Sequence, residues 1–178
     1  GEADIEVFLQ KPIRPRILFD AFQRVLGRRT VKVAEEEAQE PYARRMAEEY
    51  PLRILLDEDN EVNRKVASLM LERLGYKVDS AQDGRETIEA LERVPYDLVF
   101  MDGQMPRMDG YEATRYIREH WDGDDQPHIV AMTAGAMAED RQRCFDAGMD
   151  GYIAKPVSVD ELIRTLKATP RRRSADGP

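Results

Sequence analysis

The chain has 178 residues, room for one ordinary domain of roughly 100–150 residues plus an appendage. A net charge of −8 argues against a nucleic-acid binder working through a broad basic face, and no apolar run is long enough to span a membrane. Cys144 has no partner for an internal disulfide and the acidic start, Gly1 to Asp4, is not a signal peptide; both fit a reducing compartment such as the cytoplasm, with no direct membrane contact.

In chain order, residues 5–9 read as a strand and residues 17–26 as a helix with Leu18, Phe22 and Val25 on one face. Residues 28–50 are charge-dense, carry Glu35, Glu36, Glu37 and a breaking Pro41, and read as a linker. Residues 52–56 form a buried strand, after which Asn60 caps a helix whose Val62, Val66, Leu69 and Leu74 lie near one face. Gly75 ends that helix before a more polar strand over 76–80, and Asp83 and Gly84 turn into a helix carrying Ile88 and Leu91. Pro95 breaks it ahead of a third strand at 97–101. A loop through Pro106 and Gly110 leads to a helix with Ala113 and Ile117, then a strand at 128–132, a helix at 139–147 and a strand at 150–154. The last helix opens at Ser158 with Glu161 three residues on, the pattern of a capping box. Five alternations of strand and helix predict a parallel sheet covered on both faces.

In such sheets functional groups gather at the C-terminal strand ends. Those ends carry Asp57, Glu58 and Asp59, then Asp102, Thr133 and Lys155. Converging carboxylates repel unless something positive neutralises them, and Lys155 and a divalent cation are the two neutralisers available. Oxygen donors without His or Cys favour Mg²⁺ or Mn²⁺ over zinc. A carboxylate beside such a cation, a lysine and a hydroxyl suits attack on a phosphoryl group. Taken singly, Asp57 or Asp59 reads as a helix cap and Asp102 as a turn residue. Their convergence on one edge is what argues for chemistry. Asp57 is expected to face solvent, because a further desolvated carboxylate would be costly; a third acid near the metal is the alternative. Gly103 and Gly135 are read as leaving the site open.

Four motifs, LRILLDEDNEVN, LVFMDGQMPRMDG, AMTAGAM and GYIAKP, occur in order at the strand ends. Together they resemble the receiver domains of two-component signalling, over residues 52–168. The resemblance implies the flavodoxin-like (βα)5 doubly wound sheet with strand order 2-1-3-4-5 and reversible phosphorylation of Asp102. It also implies Mg²⁺ held by Asp59, Asp102 and the Gln104 backbone carbonyl, with Glu58 acting through water. Lys155 would pair with the phosphoryl group, Thr133 would donate its hydroxyl to it, and Tyr152 would turn inward as Thr133 moves. Pro156 fits the family's Lys-Pro, often a cis bond. The implied partners are the phosphohistidine domain of a histidine kinase and a histidine phosphotransfer protein, and the domain would catalyse its own phosphorylation and dephosphorylation.

Residues 8–13, FLQKPI, echo residues 152–157, YIAKPV. The first 27 residues thus resemble the closing strand and helix of a second receiver, without acidic pair or acceptor. The expected organisation is that fragment at 1–27, a linker at 28–50, a receiver at 51–169 and a disordered tail at 170–178. The phrasing of the motifs is most similar to receivers of hybrid sensor histidine kinases, so the chain is expected to be the C-terminal piece of one, cut inside an upstream receiver. The fragment would pack on the receiver or form a homodimer through a second copy.

The rivals are a stand-alone response regulator, a docking module that is not phosphorylated, and an aspartyl-nucleophile phosphatase. The phosphatase is disfavoured by Gln104, which stands where a second acid is usual two residues after the nucleophile. A flavin site is disfavoured by the acids after the first strand, which would repel the phosphate. His120 and His128 lack metal-ligand companions, Cys144 reads as packed, and Met101, Met105, Met108, Met132 and Met137 read as packing near the site.

Overall fold

The computed structural model describes residues 46–135 and 138–171. The expectations for the fragment at 1–27, most of the linker and the tail lie outside them. The elements are α1 (Met46–Glu49), β1 (Ile54–Asp57), α2 (Glu61–Arg73), β2 (Val78–Ala81), α3 (Gly84–Arg93) and β3 (Leu98–Asp102). They continue with α4 (Gly110–His120), a 3₁₀ turn (Gly123–Asp125), β4 (His128–Thr133), α5 (Ala138–Asp146), β5 (Gly151–Ala154) and α6 (Val159–Ala168). The five strands are parallel in the order β2-β1-β3-β4-β5, as the sequence predicts.

The central strands read as continuous apolar runs because they are covered on both faces. Ile54, Leu56, Leu98, Phe100, Val130 and Met132 pack with Ala67, Leu71 and Leu74 of α2 and Leu162 and Leu166 of α6. Leu55, Val99, Met101, Ile129 and Ala131 point the other way, onto Leu91 of α3, Ala113 and Ile117 of α4 and Cys144 of α5. β2 lies at the edge, and there Asp79 and Ser80 are exposed. Among the described residues no helix is long and apolar enough to cross a membrane.

The caps follow the chain chemistry. Asn60 Oδ1 accepts from the amides of Val62 and Asn63, and Asp83 Oδ1 from those of Arg85 and Glu86. Ser158 caps α6 as expected, although Glu161 takes its hydroxyl proton at 2.8 Å instead of closing a backbone box. A full capping box forms at Asp109 and Glu112. Ahead of β1, Met46 is buried in the α2 and α6 layer, and the Tyr76 hydroxyl donates to the carbonyls of Met46 (3.3 Å) and Tyr50 (2.7 Å).

One expectation is corrected. Val62, Val66 and Leu69 do not face the core; they are 70%, 46% and 44% exposed, while Ala67, Leu71 and Leu74 are buried. Both sets are spaced for one helical face, and the sheet selects the set that includes Ala67, small enough for close approach. Leu71→Ala should therefore destabilise by about 2–5 kcal/mol and Leu69→Ala by less than about 0.5 kcal/mol, read by urea unfolding.

Candidate functional site

The β1–β3 register pairs Asp57 with Met101, so the next step along each strand brings Glu58 level with Asp102. Asp102 ends β3 and is 7% exposed; Glu58 is buried and Asp59 exposed. One carboxylate oxygen from each of Glu58, Asp59 and Asp102 lies within 4.8 Å of the other two. Such a set fits a hard divalent cation, since all its donors are oxygens. It does not by itself distinguish Mg²⁺ from Mn²⁺.

Lys155, delivered by the end of β5, closes the arrangement. Its Nζ lies 2.6 Å from Asp102 Oδ2 and 2.6 Å from Glu58 Oε2. Burial works to lower the lysine pKa, but its hydrogen bonds to Asp102 and Glu58 and their charges outweigh this and raise it. Burial likewise raises the Asp102 pKa, reinforced by Glu58 and opposed by Lys155 and the Gln104 amide. That amide donates to Asp102 Oδ1 at 3.2 Å. The Lys155–Pro156 peptide bond is cis.

Thr133 ends β4, nearly buried, and its hydroxyl donates to the Gly135 carbonyl and accepts from the Gly135 amide, both at 3.1 Å. Tyr152 is half-buried, edge-on to Phe145 with ring centroids 6.3 Å apart, and the Arg141 guanidinium lies 5.1 Å from its ring centre. Gly103 does not open the site to water. A Cβ there would stand 2.8 Å from the Tyr111 hydroxyl, so the residue is small to admit that ring. At Gly110 a Cβ would overlap the Asp102 carbonyl oxygen, which lets α4 begin directly against the end of β3.

Two residues that the sequence reading did not single out hold the first loop. Asn63 Nδ2 donates to Glu58 Oε1 at 3.1 Å, and Arg64 Nη1 donates to the carbonyls of Glu58 (2.7 Å) and Asp59 (3.3 Å). Their signal is spacing: they fall three and four residues after the cap Asn60, where a helix turns back over its own N-terminus.

Asp57 is the correction at the site. It is fully buried rather than solvated. Burial pushes its pKa up to about 7; Thr87 acts to lower it, while Asp83, Asp102 and Glu86 add to the rise. β1 is the second strand in from an edge and is covered on both faces, so its last residue has no solvent side.

A family model described as response regulator receiver domain matches residues 54–167. Histidine protein kinase 1 of Candida albicans is 43% identical over 136 residues, covering 68% of this chain but only 5% of that protein. The receiver domain of the sensor histidine kinase PA1611 from Pseudomonas aeruginosa, solved with a magnesium ion in its active-site cleft, is 46% identical. That match covers 65% of this chain and 94% of the other at a TM-score of 0.60. The receiver domain of Saccharomyces cerevisiae Ssk1, solved with the histidine phosphotransfer protein Ypd1, belongs to a co-crystal structure that matches at 26% identity and a TM-score of 0.61. The match covers 65% of this chain and 86% of that one.

The Asp57 shift carries a pH dependence. An acid whose folded pKa is about 7, against an ordinary value of 3.8, binds its proton more tightly when folded. Its contribution to stability is full below about pH 3.8 and is lost as pH rises through about 7. Asp57→Asn should gain stability relative to the parent chain over that interval, by a few kcal/mol at most, in denaturant titrations without metal. Parallel stability–pH curves for the two proteins would show that Asp57 is not the group responsible.

Proposed function

Because this chain belongs to the response regulator receiver domain family, we propose that it takes a phosphoryl group from phosphohistidine onto Asp102 and changes shape in response. The observation that carries the proposal is the Lys155 ammonium, 2.6 Å from both Asp102 and Glu58. An ammonium at that distance from Asp102 is able to pair with the oxygens of a phosphoryl group carried there, which supports the reading.

A carboxylate oxygen of Asp102 attacks phosphorus in line; the phosphorus–nitrogen bond breaks and its electron pair stays on the imidazole. An acyl phosphate results, later hydrolysed or passed on. Lys155 leaves its carboxylates for the new phosphoryl oxygens, and Thr133 exchanges its bond to the Gly135 carbonyl for one to phosphate. The strand ends carrying Thr133 and Tyr152 then move, with Tyr152 turning inward past Phe145, which alters the face built from β4, α5 and β5. Mg²⁺, or Mn²⁺ in its place, would be held by Asp59, Asp102 and the Gln104 carbonyl, and would neutralise phosphoryl oxygens during transfer. Glu58, held by Asn63 and Lys155, would act on the cation through water.

The chain spans 5% to 15% of the first three curated relatives it matches, all named as histidine kinases. This supports a hybrid histidine kinase as the parent. Its place in the cytoplasm rests on the unpaired Cys144, and the reading of the N-terminal residues as the end of a second receiver rests on the echo of YIAKPV in FLQKPI. The partner is a histidine phosphotransfer protein or the kinase's own phosphohistidine domain. The exposed apolar stripe of Val62, Val66 and Leu69, one turn from Asn63 and Glu58, is the surface on which it would seat.

Asp102→Asn should abolish acid-labile labelling by a small phosphodonor in Mg²⁺; labelling that persists sinks the assignment. Val66→Asp should leave that labelling unchanged while slowing transfer from a phosphorylated histidine phosphotransfer protein at least about 10-fold, the cost of a buried charge at an interface centre. Equal transfer rates in the two proteins would remove the stripe from the docking surface.

A further inference from the structure

Behind Asp102, on the α3 side of the sheet, two more carboxylates are fully buried, Asp57 at the end of β1 and Asp83 at the cap of α3. The charged groups that act on Asp57 are all acids: Asp83, Asp102 and Glu86. The cation that meets this group comes from the far side of the acceptor, in the loop between β3 and α4. Arg107 Nη2 pairs with Asp83 Oδ2 and lies 3.9 Å from Glu86 Oε1.

Arg107 makes this contact from a conformation that L residues adopt at a cost, φ 69°. It is the one described non-glycine residue with positive φ. Nothing about the guanidinium itself requires that backbone, and its side chain is otherwise 65% exposed. The same loop is fixed to α3 a second time, where the Gly84 amide donates to the Met108 carbonyl at 3.2 Å. There is no slack at that point, because a Cβ on Gly84 would stand 2.7 Å from Ala113 Cβ and 2.8 Å from Met108 Cγ. The loop so held begins at Asp102 and carries Gln104, whose amide already orients the Asp102 carboxylate.

We infer that Arg107 is a positioning residue for the cation site: by pairing with buried Asp83 it bolts the β3–α4 loop, and with it Asp102 and Gln104, against the start of α3. The inference rests on the phosphoacceptor reading for its consequence but not for its geometry. Arg107 pairs with a fully buried charge, so the loop cannot lift without leaving Asp83 held only by the two cap amides of α3, beside Asp57. A bolt of this kind acts on metal affinity in the way that groups behind metal ligands do.

The test compares Arg107→Gly, which relieves the left-handed backbone while removing the guanidinium, with the parent sequence in the full chain. Calorimetric titration with Mg²⁺ should show affinity reduced about 10-fold, the lower end of what loss of such a group costs. Labelling at saturating Mg²⁺ should return to the parent rate. Without metal, amide exchange across residues 103–109 should accelerate while β3 and β4 stay protected. In an Asp83→Asn background, which keeps the α3 cap, the same substitution should change neither affinity nor exchange. A glycine variant with parental Mg²⁺ affinity and parental loop protection overturns the inference, as does a penalty of the same size with and without Asp83. A parent chain that binds no Mg²⁺ brings down the phosphoacceptor reading instead, and the exchange measurement then decides the bolt alone.

Discussion

Carboxylates at the ends of adjacent parallel strands stand only a few ångströms apart, and in a half-desolvated cleft their repulsion would splay the loops that carry them. Here the ammonium of Lys155 sits at hydrogen-bond distance from both Glu58 and Asp102. The lysine comes from the opposite edge of the sheet, so the contact depends on β3, β4 and β5 being in register. Every other contact at the site is arranged around that shared cation. Asn63 holds the free oxygen of Glu58, the Gln104 amide holds that of Asp102, and Arg64 fixes the carbonyls behind Glu58 and Asp59.

The acids divide into two groups with different compensation. Glu58, Asp59 and Asp102 face the mouth, where a lysine, water or a cation can reach them. Asp57 and Asp83 lie under the sheet edge, where Arg107 pairs with Asp83 and burial raises the pKa of Asp57 to about 7. This division explains how five carboxylates share one end of a small sheet. The charge on Asp102 adds to the rise of the Asp57 pKa, so the state of the acid at the mouth bears on the proton of the acid beneath it.

Strand order, the placing of Asp102 at the end of β3, the acid pair after β1 and the lysine after β5 were legible in the sequence because each depends on local pattern and on one rule about strand ends. The buried face of α2 was not, since Val62, Val66 and Leu69 are spaced as well as Ala67 and Leu71, and only packing against the sheet, chiefly β1 and β2, separates them. The burial of Asp57 is illegible for another reason. The cost of burying a carboxylate points to solvent, but a strand covered on both faces has no outward position for its last residue, and that constraint is stronger. Arg107 had no local signal at all, because its role depends on a left-handed loop conformation and on a cap in an element more than twenty residues earlier.

The Tyr76 hydroxyl, by holding the carbonyls of Met46 and Tyr50, fixes where the backbone enters this domain. Tyr76 precedes β2, so the entry lies at the pole where strands begin, and the carboxylates lie at the pole where they end. A pull or twist on residues ahead of Met46 is thus delivered to the floor of the sheet through α2 and β2, a sheet's height away from the Asp102 carboxylate. The domain is leashed from below, and residues 46–53 leave the mouth clear for whatever approaches it.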